Sequence, residues 1–156
     1  MITIRHAASA EDFVIARELF REYQRGLGID LCFQSFDREL ETLPQMYGPP
    51  GGALFLATRS VDGEPVGCVG LRRLGPDVCE MKRLYVRAAA RGHGLGRQLV
   101  EVLLAEARRL GYRVMRLDTL ATMTEARALY ASLGFKDIPP YNEHPVEGTS
   151  FLELPL

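Results

Sequence analysis

Arg91-Gly92-His93-Gly94-Leu95-Gly96 sets three glycines between an apolar, strand-like run ending at Val86 and a helix-like run from Leu95 to Leu110. Glycine takes positive φ without strain and lets a ligand approach the backbone closely. The first N–H groups of the following helix have no acceptor within it and carry the positive end of its dipole. A glycine turn at such a helix start suits a phosphate or pyrophosphate, although the same residues also make a plain strand-to-helix turn. Surrounding charge favours the anion. Met81 to Leu117 holds nine basic residues against two acidic ones, which leaves about −8 for the rest of a chain of net charge −1. Arg108, Arg109 and Arg113 read as ordinary solvated positions within that block.

Outward from the loop, 156 residues suffice for one domain, 1–156, that buries most of its unfolded surface. Hydrophobic residues at 47% and charged ones at 25% are globular values, and a net charge of −1 argues against a general basic surface for nucleic acid. No apolar run approaches the roughly 18 residues needed to span a bilayer. Met1-Ile2-Thr3-Ile4-Arg5 reads as a strand start rather than a secretory leader, so a cytoplasmic location without a membrane partner is expected. Cys32, Cys68 and Cys79 are odd in number and lack zinc-ligand spacing, so buried or idle thiols are expected rather than disulfides or a metal.

Along the chain, Ile2 to Arg5 forms a short strand, and Ser9 with Asp12 opens a helix in the manner of a capping box. Phe13, Ala16, Phe20, Tyr23 and Leu27 continue it as one apolar stripe. Ser35 or Asp37 starts a second, shorter helix carrying Phe36, Leu40 and Leu43, closed by Pro44. Breakers make Tyr47 to Gly52 a loop. Ala53–Arg59, Pro65–Leu74 and Val78–Val86 then read as a three-strand meander, with Asp62-Gly63 at its first turn and Gly67 and Gly70 marking a bulge. Strict alternation in the third strand puts Glu80, Lys82 and Leu84 on one face, and Met81, Arg83 and Tyr85 on the other. After the helix from Leu95, which buries Leu95, Leu99, Val102, Leu103 and Leu110, come a strand Val114–Leu117 and a helix Thr124–Leu133. A strand from Phe135, a loop Ile138–Gly148 and a last strand Ser150–Leu154 complete the chain. This order predicts an α/β (α+β) fold: a mixed, mostly antiparallel sheet of six or seven strands with helices on both faces.

Competing glycine-loop motifs do not fit. A dinucleotide fingerprint needs a third glycine where Arg97 stands, and it follows its strand directly, whereas Arg87-Ala88-Ala89-Ala90-Arg91 intervenes here. A phosphate loop of the Walker type needs Lys-Ser/Thr after its final glycine, and Arg97-Gln98 follows instead.

Strand, glycine loop, helix, strand and helix, in that order, resemble the Gcn5-related N-acetyltransferase (GNAT) superfamily across nearly the whole chain. The resemblance rests on Arg91, Gly92, Gly94 and Gly96, which fill the family's acetyl-CoA signature. Ala126-Arg127-Ala128-Leu129-Tyr130-Ala131-Ser132-Leu133-Gly134-Phe135 matches its second signature. One position departs: Met123 stands where many members carry asparagine, with Thr122 and Thr124 as substitute contacts.

The resemblance implies an acetyl-CoA-dependent N-acetyltransferase with acetyl-CoA as cosubstrate and no metal. Coenzyme A binding is implied at Leu84, Tyr85, Val86, Arg91, Gly92, His93, Gly94, Leu95, Gly96 and Arg97, with His93 at a variable position of the signature. Backbone groups of Leu84, Tyr85 and Val86 are implied to serve the pantetheine amides and the developing oxyanion. Tyr130 corresponds to the family tyrosine that protonates the leaving thiolate, and its alternative is a core tyrosine. Glu80 occupies the place where several members keep a general base, and its alternative is a carboxylate paired with Lys82 or an arginine. The acceptor is a small-molecule or protein amine, its contacts sought among Phe33, Gln34, Phe36, Asp37, Tyr141, Asn142 and His144, and a homodimer is left open. No Gly-x-Ser-x-Gly elbow competes as a nucleophile. A non-catalytic acyl-CoA sensor on the same fold is the alternative function.

Overall fold

Residues in Ala53–Arg59 (β2) alternate between two cores. Ala53, Phe55 and Ala57 enter one, and Leu54 and Leu56 enter the other. A strand buried on both faces must lie inside a sheet covered on both sides, and β2 does. The structure is a computed structural model that describes residues 1–27, 36–142 and 147–156. Its sheet also contains Ile2–His6 (β1), Pro65–Arg73 (β3), Val78–Val86 (β4), Val114–Thr119 (β5), Lys136–Ile138 (β6) and Ser150–Pro155 (β7). The order is β1-β2-β3-β4-β5-β7-β6. Every neighbouring pair is antiparallel except β4 and β5, which a helical crossover joins in parallel.

Ala10–Leu27 (α1), Phe36–Glu41 (α2) and Leu43–Met46 (α3) build the core on one face, where Phe20, Phe36, Leu43 and Tyr47 are almost wholly buried. Leu95–Arg109 (α4) and Thr124–Ser132 (α5) cover the other. The start of α1 is the reciprocal box expected from Ser9 and Asp12. The Asp12 N–H donates to Ser9 Oγ at 3.1 Å, while Asp12 Oδ2 accepts from the N–H groups of Ala8 and Ser9 at 2.9 and 3.2 Å.

Three sequence expectations change. Pro44 does not close the second helix but sits in the first turn of α3, where a missing N–H costs nothing. The inward side of α4 includes Val100, Leu104 and Ala107, with Val102 and Leu110 only partly buried. The strict alternation of β4 fails at Arg83. Between the pairs Cys68–Tyr85 and Gly70–Lys82, Val69 alone faces both Arg83 and Leu84, a bulge with Arg83 at φ 59°. Arg83 and Tyr85 therefore share the α1 and α2 face with Glu80, and Leu84 moves to the face of Met81.

Candidate active site

β4 and β5 pair over only three rungs, Val78–Val114, Cys79–Met115 and Glu80–Arg116, and then part. Beyond them β4 continues against β3 alone and β5 against β7 alone, so backbone groups facing across the split have no ladder partner there. The split opens into a cleft of about 930 Å³, a size suited to a cofactor-sized ligand. Leu84, Tyr85 and Val86 form one wall, Arg91, Gly92, Gly94, Leu95, Gly96 and Arg97 the next, and Thr122, Met123 and Thr124 the third.

Two helices start at this cleft without a side-chain cap: α4, whose N-cap Gly94 has φ 76°, and α5, whose N-cap is Met123. Their first N–H groups are therefore available to an anion. A Cβ built on Gly92 or Gly94 meets nothing within 4 Å, and one on Gly96 meets only Leu129 Cδ2 at 3.8 Å. The glycines keep a cradle open that side chains would enter, and its chemistry fits the pyrophosphate of coenzyme A.

Much of the basic block is neutralised by the fold. Arg87 pairs with Glu22 and Glu64, Arg83 with Glu39, Arg116 with Glu153 and Arg109 with Glu106. Of the block, Arg91 and Arg97 line the cleft. Arg91 Nε donates to the Val86 carbonyl at 2.8 Å, which ties the loop to the end of β4. Arg97 reaches Ser132 on α5 and lies 3.6 Å from Glu101. His93 is exposed and outside the cleft wall.

At the point where the strands part lies a cavity of about 20 Å³, bordered by Tyr23, Arg83, Asp118, Met123 and Tyr130. Tyr130 is 4% exposed, its ring edge-on to Phe135 at 5.7 Å, and burial pushes its phenol well above the usual range. Tyr23 is pushed up to about 12, chiefly by burial. Both hydroxyls therefore stay protonated at neutral pH. Met123 accepts from Thr119 Oγ1 at 3.8 Å, so its sulfur turns toward β5 beside the cleft.

Glu80 is 2% exposed, and both of its oxygens are engaged. Arg72 Nε donates to Oε1 at 2.7 Å, and the Tyr141 hydroxyl donates to Oε2 at 2.6 Å. Tyr141 is held by Phe151, ring centroids 5.1 Å apart, and by the Arg116 guanidinium 5.7 Å above its ring. Burial, with the Glu80 carboxylate next to it, pushes the Tyr141 phenol up.

Tyr141 is thus brought to Glu80, while Asn142 and Asp37 are exposed and Phe36 is buried beneath Arg83. Phe33, Gln34 and His144, with Cys32, lie outside the described residues. Cys68 and Cys79 are buried free thiols. Sequence reasoning missed Arg72, Asp118 and the Glu39–Arg83 pair. Only the two-residue alternation that places Arg116 and Asp118 on one face of β5 could have signalled any of them.

A model of the acetyltransferase (GNAT) family matches residues 15–135. An uncharacterized N-acetyltransferase of Schizosaccharomyces pombe is 40% identical over 99% of this chain and 95% of its own length. Among solved structures, a GNAT-family acetyltransferase of Staphylococcus aureus superposes with a TM-score of 0.82 at 21% identity, covering 99% of each chain. One from Elizabethkingia anophelis, with acetyl-CoA bound, gives 0.66 at 21% identity over 99% of this chain and 98% of that one.

Proposed function

The chain belongs to the GNAT family of acetyltransferases, and from that premise we propose that it transfers acetyl from acetyl-CoA directly to a primary amine, both bound at once. The observation that carries the reading is the parting of β4 from β5 into a cleft walled by the glycine loop, with the Tyr130 side chain at the fork. Acetyl-CoA supplies an activated thioester when bound, as in the similar Elizabethkingia anophelis protein.

The chain's own groups meet the needs of the reaction. The N–H groups at the start of α4, with Arg91 and Arg97 beside them, hold the pyrophosphate, while Thr122 and Thr124 flank Met123, where many family members carry an asparagine, and substitute for its amide. Backbone groups of Leu84, Tyr85 and Val86 that face the split serve the pantetheine amides and the oxyanion. Tyr130, kept protonated by burial, gives its proton to the departing sulfur. Glu80 is the proton sink for the amine. Because Tyr141 donates to it, the shortest route runs from the amine to Tyr141 Oη while the Tyr141 proton passes to Glu80 Oε2. One observation favours a second base: Asp118 lies in the fork cavity with Tyr130, whereas both oxygens of Glu80 are already bonded.

A panel of amino acids, polyamines and peptides is mixed with wild-type protein and acetyl-CoA, and free thiol is followed. Thiol release with acetylation of one acceptor class supports the proposal. Tight acetyl-CoA binding with no thiol release from any amine would make the chain a sensor of acyl-CoA.

A further inference from the structure

Arg83 is the only non-glycine residue with positive φ among the described residues, at 59°. An L side chain is strained in that region. Its guanidinium is nevertheless 4% exposed and forked onto Glu39 of α2, which is 2% exposed. Nε donates to Oε2 at 3.0 Å and Nη2 to Oε1 at 2.8 Å. Phe36 and Tyr23 hold their rings 5.2 and 5.9 Å from the guanidinium carbon. The Tyr47 hydroxyl donates to Glu39 at 2.8 Å, and the Cys68 thiol meets the Arg83 carbonyl at 3.4 Å. The side chain of the bulged residue is thus held from α1 and α2, and its carbonyl by a side chain of the neighbouring strand β3.

A buried ion pair contributes little net stability against an apolar replacement, because desolvating two charges offsets their attraction. Stability therefore does not account for a fork of this kind on a strained backbone. Position does. The bulge lies two residues beyond Met81, where β4 has just left β5, and directly before Leu84, Tyr85 and Val86. Unclamped, Arg83 would relax to ordinary extended geometry and shift the register of the strand residues that follow it, Leu84 to Val86.

We infer that Arg83 is a positioning residue: its fork to Glu39 anchors the β4 bulge to α2 and so fixes the cleft-facing backbone of Leu84, Tyr85 and Val86. The helix beside the acceptor side of the sheet and the strand wall that receives the donor's pantetheine and acetyl group are thereby one mechanical unit. The glycine loop touches that unit through Arg91 Nε on the Val86 carbonyl, while its anion-facing N–H groups belong to the head of α4.

That difference gives the test, which rests on the acetyl-CoA reading. Arg83→Gly removes the fork while leaving a residue that tolerates either sign of φ. Two ligands are titrated calorimetrically: acetyl-CoA, and 3′-phosphoadenosine 5′-diphosphate, which keeps the pyrophosphate and lacks the pantetheine. The expected result is acetyl-CoA affinity weakened about tenfold or more, the worth of one or two backbone hydrogen bonds, with the fragment's affinity within about threefold of wild type. If Arg83→Gly does not fold, Glu39→Gln is read in the same way, since it keeps an acceptor for Tyr47 but loses the charge that holds the fork. Equal weakening of both ligands, or no change in either, overturns the inference. Failure of the transferase reading is a separate result: wild type that binds acetyl-CoA but releases no thiol.

Discussion

The hydroxyl of Tyr141 donates to Glu80 Oε2 at 2.6 Å from a loop 61 residues later in the chain. This contact joins the strand that precedes the glycine loop to the segment entering β7, and it leaves Glu80 no free oxygen. If Glu80 is the proton sink, Glu80→Gln lowers kcat by roughly 10²-fold or more, the usual worth of a general base. It also moves the kcat/KM profile to higher pH, because only amine already neutral in solution then reacts. Tyr141→Phe shows the same shift with a smaller loss. An unchanged profile in Glu80→Gln, with the shift appearing in Asp118→Asn, transfers the role to Asp118.

Tyr130 is tested by removing its hydroxyl. Tyr130→Phe keeps the ring against Phe135 and is expected to leave acetyl-CoA affinity unaltered while kcat falls by about 10²-fold. Burial raises the phenol's pKa, so its protonated form persists to higher pH than that of a free tyrosine. The wild-type rate therefore shows no decline traceable to Tyr130 below about pH 10. Full turnover in the phenylalanine variant would return Tyr130 to the core.

A third expectation concerns stability at the opposite end of the sheet. The Asp12 carboxylate accepts from Arg5 at 2.8 Å and from two backbone N–H groups at the head of α1. These contacts, led by Arg5, pull its pKa well below the usual carboxylate range. A carboxylate depressed in the folded state contributes stability that is fully present above its unfolded pKa of about 3.9 and is lost as pH falls toward the folded value. Asp12→Ala is expected to cost about 1–2 kcal/mol at neutral pH and much less at pH 2, measured by urea denaturation. An equal loss at both pH values contradicts the assignment.

The glycine turn at the head of α4 was legible in the sequence because its determinants are local. Gly92, Gly94 and Gly96 stand next to the helix they start, whereas Tyr130 was singled out only by the resemblance to the family's second signature. The order of strands and helices followed from hydrophobic period for the same reason. The bulge was signalled only from the partner strand, where Gly67 and Gly70 suggested an irregularity and the register shifts between Cys68 and Gly70; on β4 an extra arginine leaves no local mark, and alternation assigns Arg83 and Leu84 to the wrong faces. Its clamp joins positions 44 residues apart, and the Glu80–Tyr141 contact 61. Pairings of that kind arise only when the sheet closes. The basic block shows the other limit: nine cations in sequence suggested a strongly positive loop, but Arg83, Arg87 and Arg116 answer to Glu39, Glu22 and Glu153.

The claim on which the rest depends is that the glycine turn at the head of α4 holds the donor's pyrophosphate. Calorimetric titration of acetyl-CoA into wild type and into Gly94→Glu tests it most directly. Gly94 has φ 76° and open space before it, so glutamate brings a strained backbone and a negative charge to the anion's place. The predicted result is saturable binding to wild type and a loss of at least about 10²-fold in a variant whose circular dichroism is unchanged, or nearly 3 kcal/mol. Equal affinity in a folded Gly94→Glu protein would contradict the account.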